Sequence, residues 1–315
     1  MEQTTLTTVT RTQGNNQALK DGTASPSGFS LRFEEVPVLV QAFGRMVRTL
    51  EFDVSEMSAT TYLCARAQGV RFTALPIFLV RGFHHGAILV NSKAGITRPK
   101  DLEGRRVGVN RGYTVTTGVW ARGILQAEYG VDLDRISWIR SAREHVNDFV
   151  LPTNVSTTDA GQDLGEMLIA GEIDAVIGVA VDHPDVVPLF PDALQRGYDA
   201  LSRAGTYPIN HLVVVKDDIL KTFPGAAAEL FNAFSRSKNL YLNRLRAGSI
   251  ASPNPTDQMY RKVMELTGAD PLPYGVEPNR LALETLMAHA VDQHIIDKPL
   301  PIAELFAEST RDLVA

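Results

Sequence analysis

VGVNRGYTVTTGVWARG, residues 107–123, is the stretch that decides how the chain folds. Val107, Gly108 and Val109 make a short apolar strand that runs into Asn110, Arg111, Gly112 and Tyr113. Thr114, Thr116 and Thr117 then open a helix whose apolar face continues through Trp120, Ile124 and Leu125. A strand feeding a helix in this way collects unpaired backbone N–H groups and the positive end of the helix dipole at one turn. Threonine hydroxyls and an arginine beside them make a seat for a carboxylate or another small anion. The plainer alternative is an ordinary capped helix after an ordinary strand.

Outward from that turn, strands and helices alternate. Residues 6–10 read as a strand, followed by a polar turn at Gln13, Gly14, Asn15 and Asn16 and a short helix through Leu19. Residues 29–33 alternate as a second strand, and residues 38–50 have helical spacing. A brief strand at 52–54 leads into a helix over 58–68, with Glu56 expected at its start. Residues 72–79 and 87–90 are continuous apolar runs. Beyond Gly104 the pattern restarts with the strand at 107–109, a helix over 116–129 and a strand at 136–139. A polar stretch over 141–162 is too long for a simple connection. A helix at 164–168 and strands at 175–178 and 212–215 follow, then helices over 226–246, 256–266 and 280–293. This order predicts an α/β fold with largely parallel sheets in two lobes. The simplest division is residues 1–90 and 211–315 in the first lobe, with 91–210 inserted as the second and crossings near Ile88 and Leu212. A cleft between such lobes is the favoured ligand site.

Composition narrows the function. The 315 residues are 44% hydrophobic and 21% charged, with a net charge of −5. No basic block appears, so nucleic acid is an unsuitable partner. The single cysteine, Cys64, rules out an internal disulfide framework and reads as a buried, inert thiol. No run approaches the ~18 apolar residues a membrane span requires. The first residues lack a basic segment followed by an apolar one, which points to the cytoplasm. Gly108-Val109-Asn110-Arg111-Gly112 lacks the third glycine and the acidic signature of a dinucleotide site, so no organic cofactor is expected.

Several segments are similar to one known family. They are FDVSEMS (52–58), GITRPKDLEGRRVGV (95–109), GVWARGILQAEYGVD (118–132), GTYPINHLVVV (205–215), PYGVEPNR (273–280) and ELFAEST (304–310). Together they resemble the 4,5-dihydroxyphthalate decarboxylase family, from about residue 17 to the C-terminus. The resemblance implies a two-lobed type II periplasmic-binding-protein-like fold, with mixed sheets flanked by helices and a ligand cleft between lobes. It implies non-oxidative decarboxylation of a hydroxylated aromatic dicarboxylate by a cytoplasmic homo-oligomer. Two places depart from the family pattern. A Trp-Asp-Tyr-Asp-Arg run is replaced by Arg11-Thr12-Gln13-Gly14-Asn15-Asn16, and Arg-His-Ser by His84-His85-Gly86.

Decarboxylating an aromatic acid requires a proton at the carbon that loses its carboxylate, and a clamp for the carboxylate that stays. His85, aligned with the family histidine at a strand tip, is the expected proton donor; the alternative is a solvent-exposed histidine. His211, before the return strand, and Glu56 are candidates to assist. Their plainer roles are a hinge hydrogen bond for His211 and a helix cap for Glu56. Glu56, His85 and His211 together have the ligand types for a divalent metal, but their spacing does not support one. His145, His183, His289 and His294 read as surface residues. Arg111, Tyr113, Thr114, Thr116 and Thr117 are the expected anion clamp for a small aromatic carboxylate, with Arg81 and Arg122 in reserve. Arg122 otherwise pairs with Glu128 or another surface acid. Asn15, Asn16 and Ser58 are candidates to bind substrate hydroxyls, Asn16 doubling as a helix cap. Residues 154–159 read as a lid or a subunit contact. A different class of function on the same scaffold is non-catalytic capture of a small aromatic or carboxylate ligand.

Overall fold

Residues 4–315 are described by the structure, a computed structural model. The strands are β1 (Thr4–Val9), β2 (Phe29–Phe33), β3 (Val54–Ser58), β4 (Phe72–Arg81), β5 (Ile88–Asn91) and β6 (Arg106–Val109). They continue with β7 (Ser137–Arg140), β8 (Val155–Thr157), β9 (Ala175–Ile177), β10 (Val186–Pro188) and β11 (Ile209–Lys216). The α-helices are α1 (Gln17–Lys20), α2 (Leu39–Thr49), α3 (Ala59–Ala67), α4 (Thr116–Tyr129), α5 (Leu164–Ala170) and α6 (Ala193–Ala204). After these come α7 (Asp217–Thr222), α8 (Ala226–Arg246), α9 (Pro255–Thr267), α10 (Arg280–Asp292) and α11 (Ile302–Leu305). No helix among the described residues is long and apolar enough to cross a membrane.

The chain forms two compact units. The first takes the residues up to Gly82, Ile209–Glu284 and Leu300–Ala315; the second takes Phe83–Pro208 and Thr285–Pro299. The simple insertion at 91–210 is thus corrected at both ends. β5 belongs to the second unit, and so does a later segment that includes the C-terminal half of α10. The reason is packing: Gln293 is 1% exposed and donates to the carbonyl of Val119 in α4 at 2.9 Å.

In the first unit the sheet order is β2-β1-β3-β11-β4. β1 is parallel to β2 and β3, whereas β11 runs antiparallel to β3 and β4. Leu6, Val54, Leu75, Leu79, Val213 and Val215 pack from this sheet onto Leu230, Phe231 and Phe234 of α8. The ladder between β11 and β4 is irregular around His211: His211 faces Val80, Leu212 faces Phe78 and Val213 faces Leu75. Pro76 stands in β4 and lacks the N–H that a regular ladder needs, which accounts for a skipped residue. Bulges of this kind re-aim side chains. The outer edge of β4 is covered by a bridge from Ala74 to Phe306, within the ELFAEST segment.

In the second unit the sheet order is β10-β5-β9-β6-β7-β8. β6, β7, β8 and β9 are mutually parallel and β5 is antiparallel to its neighbours, so this sheet is mixed too. The 107–123 stretch folds as its pattern predicts, into β6, a turn and α4. The turn is made by Arg111 at φ 68, a conformation uncommon for a residue with a side chain. α4 ends on Gly130 at φ 65, whose N–H returns to the Gln126 and Leu125 carbonyls. Within residues 154–159, Val155–Thr157 form the β8 edge strand instead of a free lid.

Candidate active site

Glu56 lies in the middle of β3, not at the head of a helix, because β11 pairs alongside and keeps the segment extended. Its carboxylate is fully buried, which is tolerable only if its oxygens are paired. One oxygen lies 2.6 Å from His211 Nδ1, and the other accepts the Arg11 backbone N–H at 2.9 Å. An ionised carboxylate only accepts, so Nδ1 carries the proton and His211 Nε2 is the atom left for other work. The ring is steadied by an edge-on contact with Phe43, centroids 5.2 Å apart, and its side chain stays 17% exposed. Ser58, opposite His211 in the ladder, is buried at the end of β3.

The loop that follows β1 reaches the same pair through Arg11. Asn16 sits at the N-cap of α1 but does not cap it. Its Oδ1 accepts from Gln13 N, while its Nδ2 donates to the Thr10 hydroxyl and the Arg11 carbonyl. Asn16 therefore shapes the loop, with both ends of its amide engaged by the chain. Asn15 is different. Its Nδ2 donates to the Leu79 carbonyl at 2.9 Å, which fixes the amide orientation, and its buried Oδ1 has no hydrogen-bond partner. Gln13 Nε2 is likewise buried and unpartnered. Both residues line a pocket of about 350 Å³ with Arg11, Tyr241, Asp257 and Tyr260. Gly14 is required there, since a Cβ would stand 2.3 Å from the Tyr241 ring. Tyr241 donates to Asp257 at 2.5 Å, and burial pushes the Tyr260 phenol up to about 12. Arg81, a reserve for the clamp, is buried and donates to Asn279 at 2.7 Å.

The expected anion clamp is already filled by the chain itself. Glu144 places its carboxylate on the turn before α4, accepting Tyr113 N at 2.6 Å, Thr114 N at 3.1 Å and the Thr114 hydroxyl at 2.7 Å. Arg140 adds a fourth donor at 2.8 Å. The geometry binds an anion as the pattern implied, but the anion is a glutamate from the polar 141–162 stretch. Arg111 is exposed, Thr116 is buried in the first turn of α4, and Thr117 lies against Gly178. Tyr113 is buried beneath the Arg122 guanidinium, 3.8 Å from its ring. Arg122 pairs with no surface acid: it is fully buried, donating to the Tyr113 carbonyl and Gln293.

His85 sits in the second unit with its ring buried and Nε2 3.1 Å from Glu128. It is not the exposed histidine of the plainer alternative. Each of the three metal candidates has another partner: His85 meets Glu128, and Glu56 and His211 hold each other. No group of three metal-suited side chains occurs among the described residues. His289, expected on the surface, is buried edge-on against Trp120. Cys64 is buried and in no disulfide among the described residues, as read from its helix. Sequence reasoning missed Glu144, Arg140 and the Tyr241–Asp257 pair. The acid in an overlong polar stretch was the one available signal for Glu144.

No protein-family profile matches the chain. A 4,5-dihydroxyphthalate decarboxylase of Comamonas testosteroni is 32% identical over 283 residues, covering 84% of this chain and 85% of the relative. A protein of the same description from Pseudomonas putida is 32% identical over 179 residues, 51% of this chain and 69% of the relative. Among solved structures, the periplasmic aliphatic sulphonate binding protein SsuA of Escherichia coli superposes with a TM-score of 0.56. It covers 98% of this chain and 99% of its own at 11% identity, so the two share the periplasmic-binding-protein fold.

Proposed function

The chain belongs to the 4,5-dihydroxyphthalate decarboxylase family, and from that membership we propose that it is a carboxy-lyase acting on a hydroxylated aromatic dicarboxylate. The likeness over 283 residues carries the reaction class. We assign the proton transfer to His211, oriented by Glu56. The pair joins a fully buried carboxylate to a ring that keeps a route to solvent, with the free nitrogen pointing away from its partner. His85 is the weaker candidate because its Nε2 is engaged by Glu128 and the residue is only 2% exposed.

In 4,5-dihydroxyphthalate each carboxylate is para to a hydroxyl, so the ring itself supplies the electron density. Imidazolium Nε2–H delivers its proton to the ring carbon that bears the departing carboxylate. The carbon–carboxylate bond then breaks, its electron pair restores aromaticity, and carbon dioxide leaves. His211 recovers a proton from water. Glu56 stabilises the imidazolium and holds the reactive tautomer. No organic cofactor is needed, since no electrons leave or enter. Arg11, Gln13 and Asn15, on the loop whose Arg11 N–H meets Glu56, would receive the charged and hydroxylated edge of the substrate.

The test is turnover in heavy water. Purified protein given 4,5-dihydroxyphthalate should release one carbon dioxide per substrate and leave 3,4-dihydroxybenzoate with a single deuterium at the vacated carbon. Substrate that survives unchanged would overturn the assignment.

A further inference from the structure

Three of the four places where the chain enters or leaves the second unit contribute to one pocket inside that unit. Phe83, His84 and His85 open the unit, Thr206 and Pro208 lead out of it, and Thr285 opens its later segment. We propose that this pocket is a binding site for a small neutral phenol, whose hydroxyl donates to His85 Nδ1.

The chemistry follows from the histidine. His85 Nε2 faces a Glu128 oxygen at 3.1 Å, so Nε2 carries the proton in the neutral ring and Nδ1 is a bare acceptor. Nδ1 is buried and has no hydrogen-bond partner. His85 lines the pocket, and buried polar atoms are nearly always satisfied, so its orphan acceptor marks where a donor belongs. Phe83, Trp120, Ile124 and Pro208 supply the apolar faces that a ring would stack against. The cavity measures about 100 Å³, with about 500 Å³ of empty space once its open mouth is counted. Apolar cavities of about 150 Å³ take a benzene-sized guest, so one ring extending into the mouth is the upper limit. An aromatic carboxylate is disfavoured. Glu128 stands on the wall, and burial pushes the neighbouring His289 below the usual imidazole range despite Asp292, which keeps that ring neutral.

Nitrogen-15 labelling of the histidines in the full chain reads the interaction directly. Phenol should move the His85 Nδ1 resonance toward its hydrogen-bonded position. Benzene should bind about threefold to tenfold more weakly for want of that bond, and benzoate more weakly still. Ile124→Phe narrows the cavity and should abolish the shift while leaving the Nε2–H contact to Glu128 visible. Ala127→Phe, at an exposed rim position, should do the same without touching the interior. An Nδ1 resonance unmoved by saturating phenol would overturn the proposal. So would equal affinity for benzoate, or undiminished binding in both variants.

Discussion

Glu56 and Glu144 are both buried carboxylates, one in each unit, and the donors around them differ in kind. Glu144 is saturated by two backbone N–H groups, a hydroxyl and a guanidinium. None of those partners titrates near neutral pH, so the cluster is a strut that ties the 141–162 stretch to the head of α4. Glu56 has one backbone donor and one imidazole, the side chain whose proton moves most readily under physiological conditions. A buried acid held by fixed donors stores rigidity; one that faces a histidine can govern a proton.

His211→Gln should separate the two most sharply. It keeps a polar group near Glu56 but removes the acid, and kcat should fall by about 10²–10⁴-fold, the usual worth of general acid catalysis. Thermal unfolding should change little, and an undiminished kcat would detach this pair from the reaction. Glu144→Ala should do the reverse. It strands Arg140 and the Tyr113 and Thr114 N–H groups, and the unfolding free energy from a denaturant titration should drop by about 3–5 kcal/mol. Gly112→Ala refines the contrast at smaller cost. The new Cβ would sit 2.4 Å from a Glu144 oxygen, and overpacking of that kind costs about 1–3 kcal/mol. A neutral result by the same titration would mean that the carboxylate can swing aside, and the strut would be looser than its four contacts imply.

Much of this was legible in the residues, and the misses share a cause. The helix from Thr116 to Tyr129 and the three late helices follow from local periodicity, and they fold close to where that periodicity puts them. The turn at 110–117 does hold a carboxylate, through Tyr113 and Thr114 placed locally between strand and helix, but that carboxylate is Glu144 and not a substrate's. Its occupant lies about thirty residues further on, and no local pattern points there. From sequence Glu56 reads as a helix start, because the residues that follow it are helical. Its place in a strand depends on pairing with β11, 155 residues away from it at His211. His289 reads as a surface residue from its place in a late helix, yet within the second unit that turn of α10 is buried against Trp120.

Taken alone, the order of apolar runs and turn residues settled the α/β class, the helices and the polar seat before α4, all of them short-range consequences of side-chain period and backbone hydrogen bonding. Which carboxylate fills that seat, which histidine Glu56 meets, and which unit receives the later segment were decided only by tertiary contact. Those choices pair groups far apart in the chain, and burial makes each buried charge find whatever partner the packed fold brings within reach.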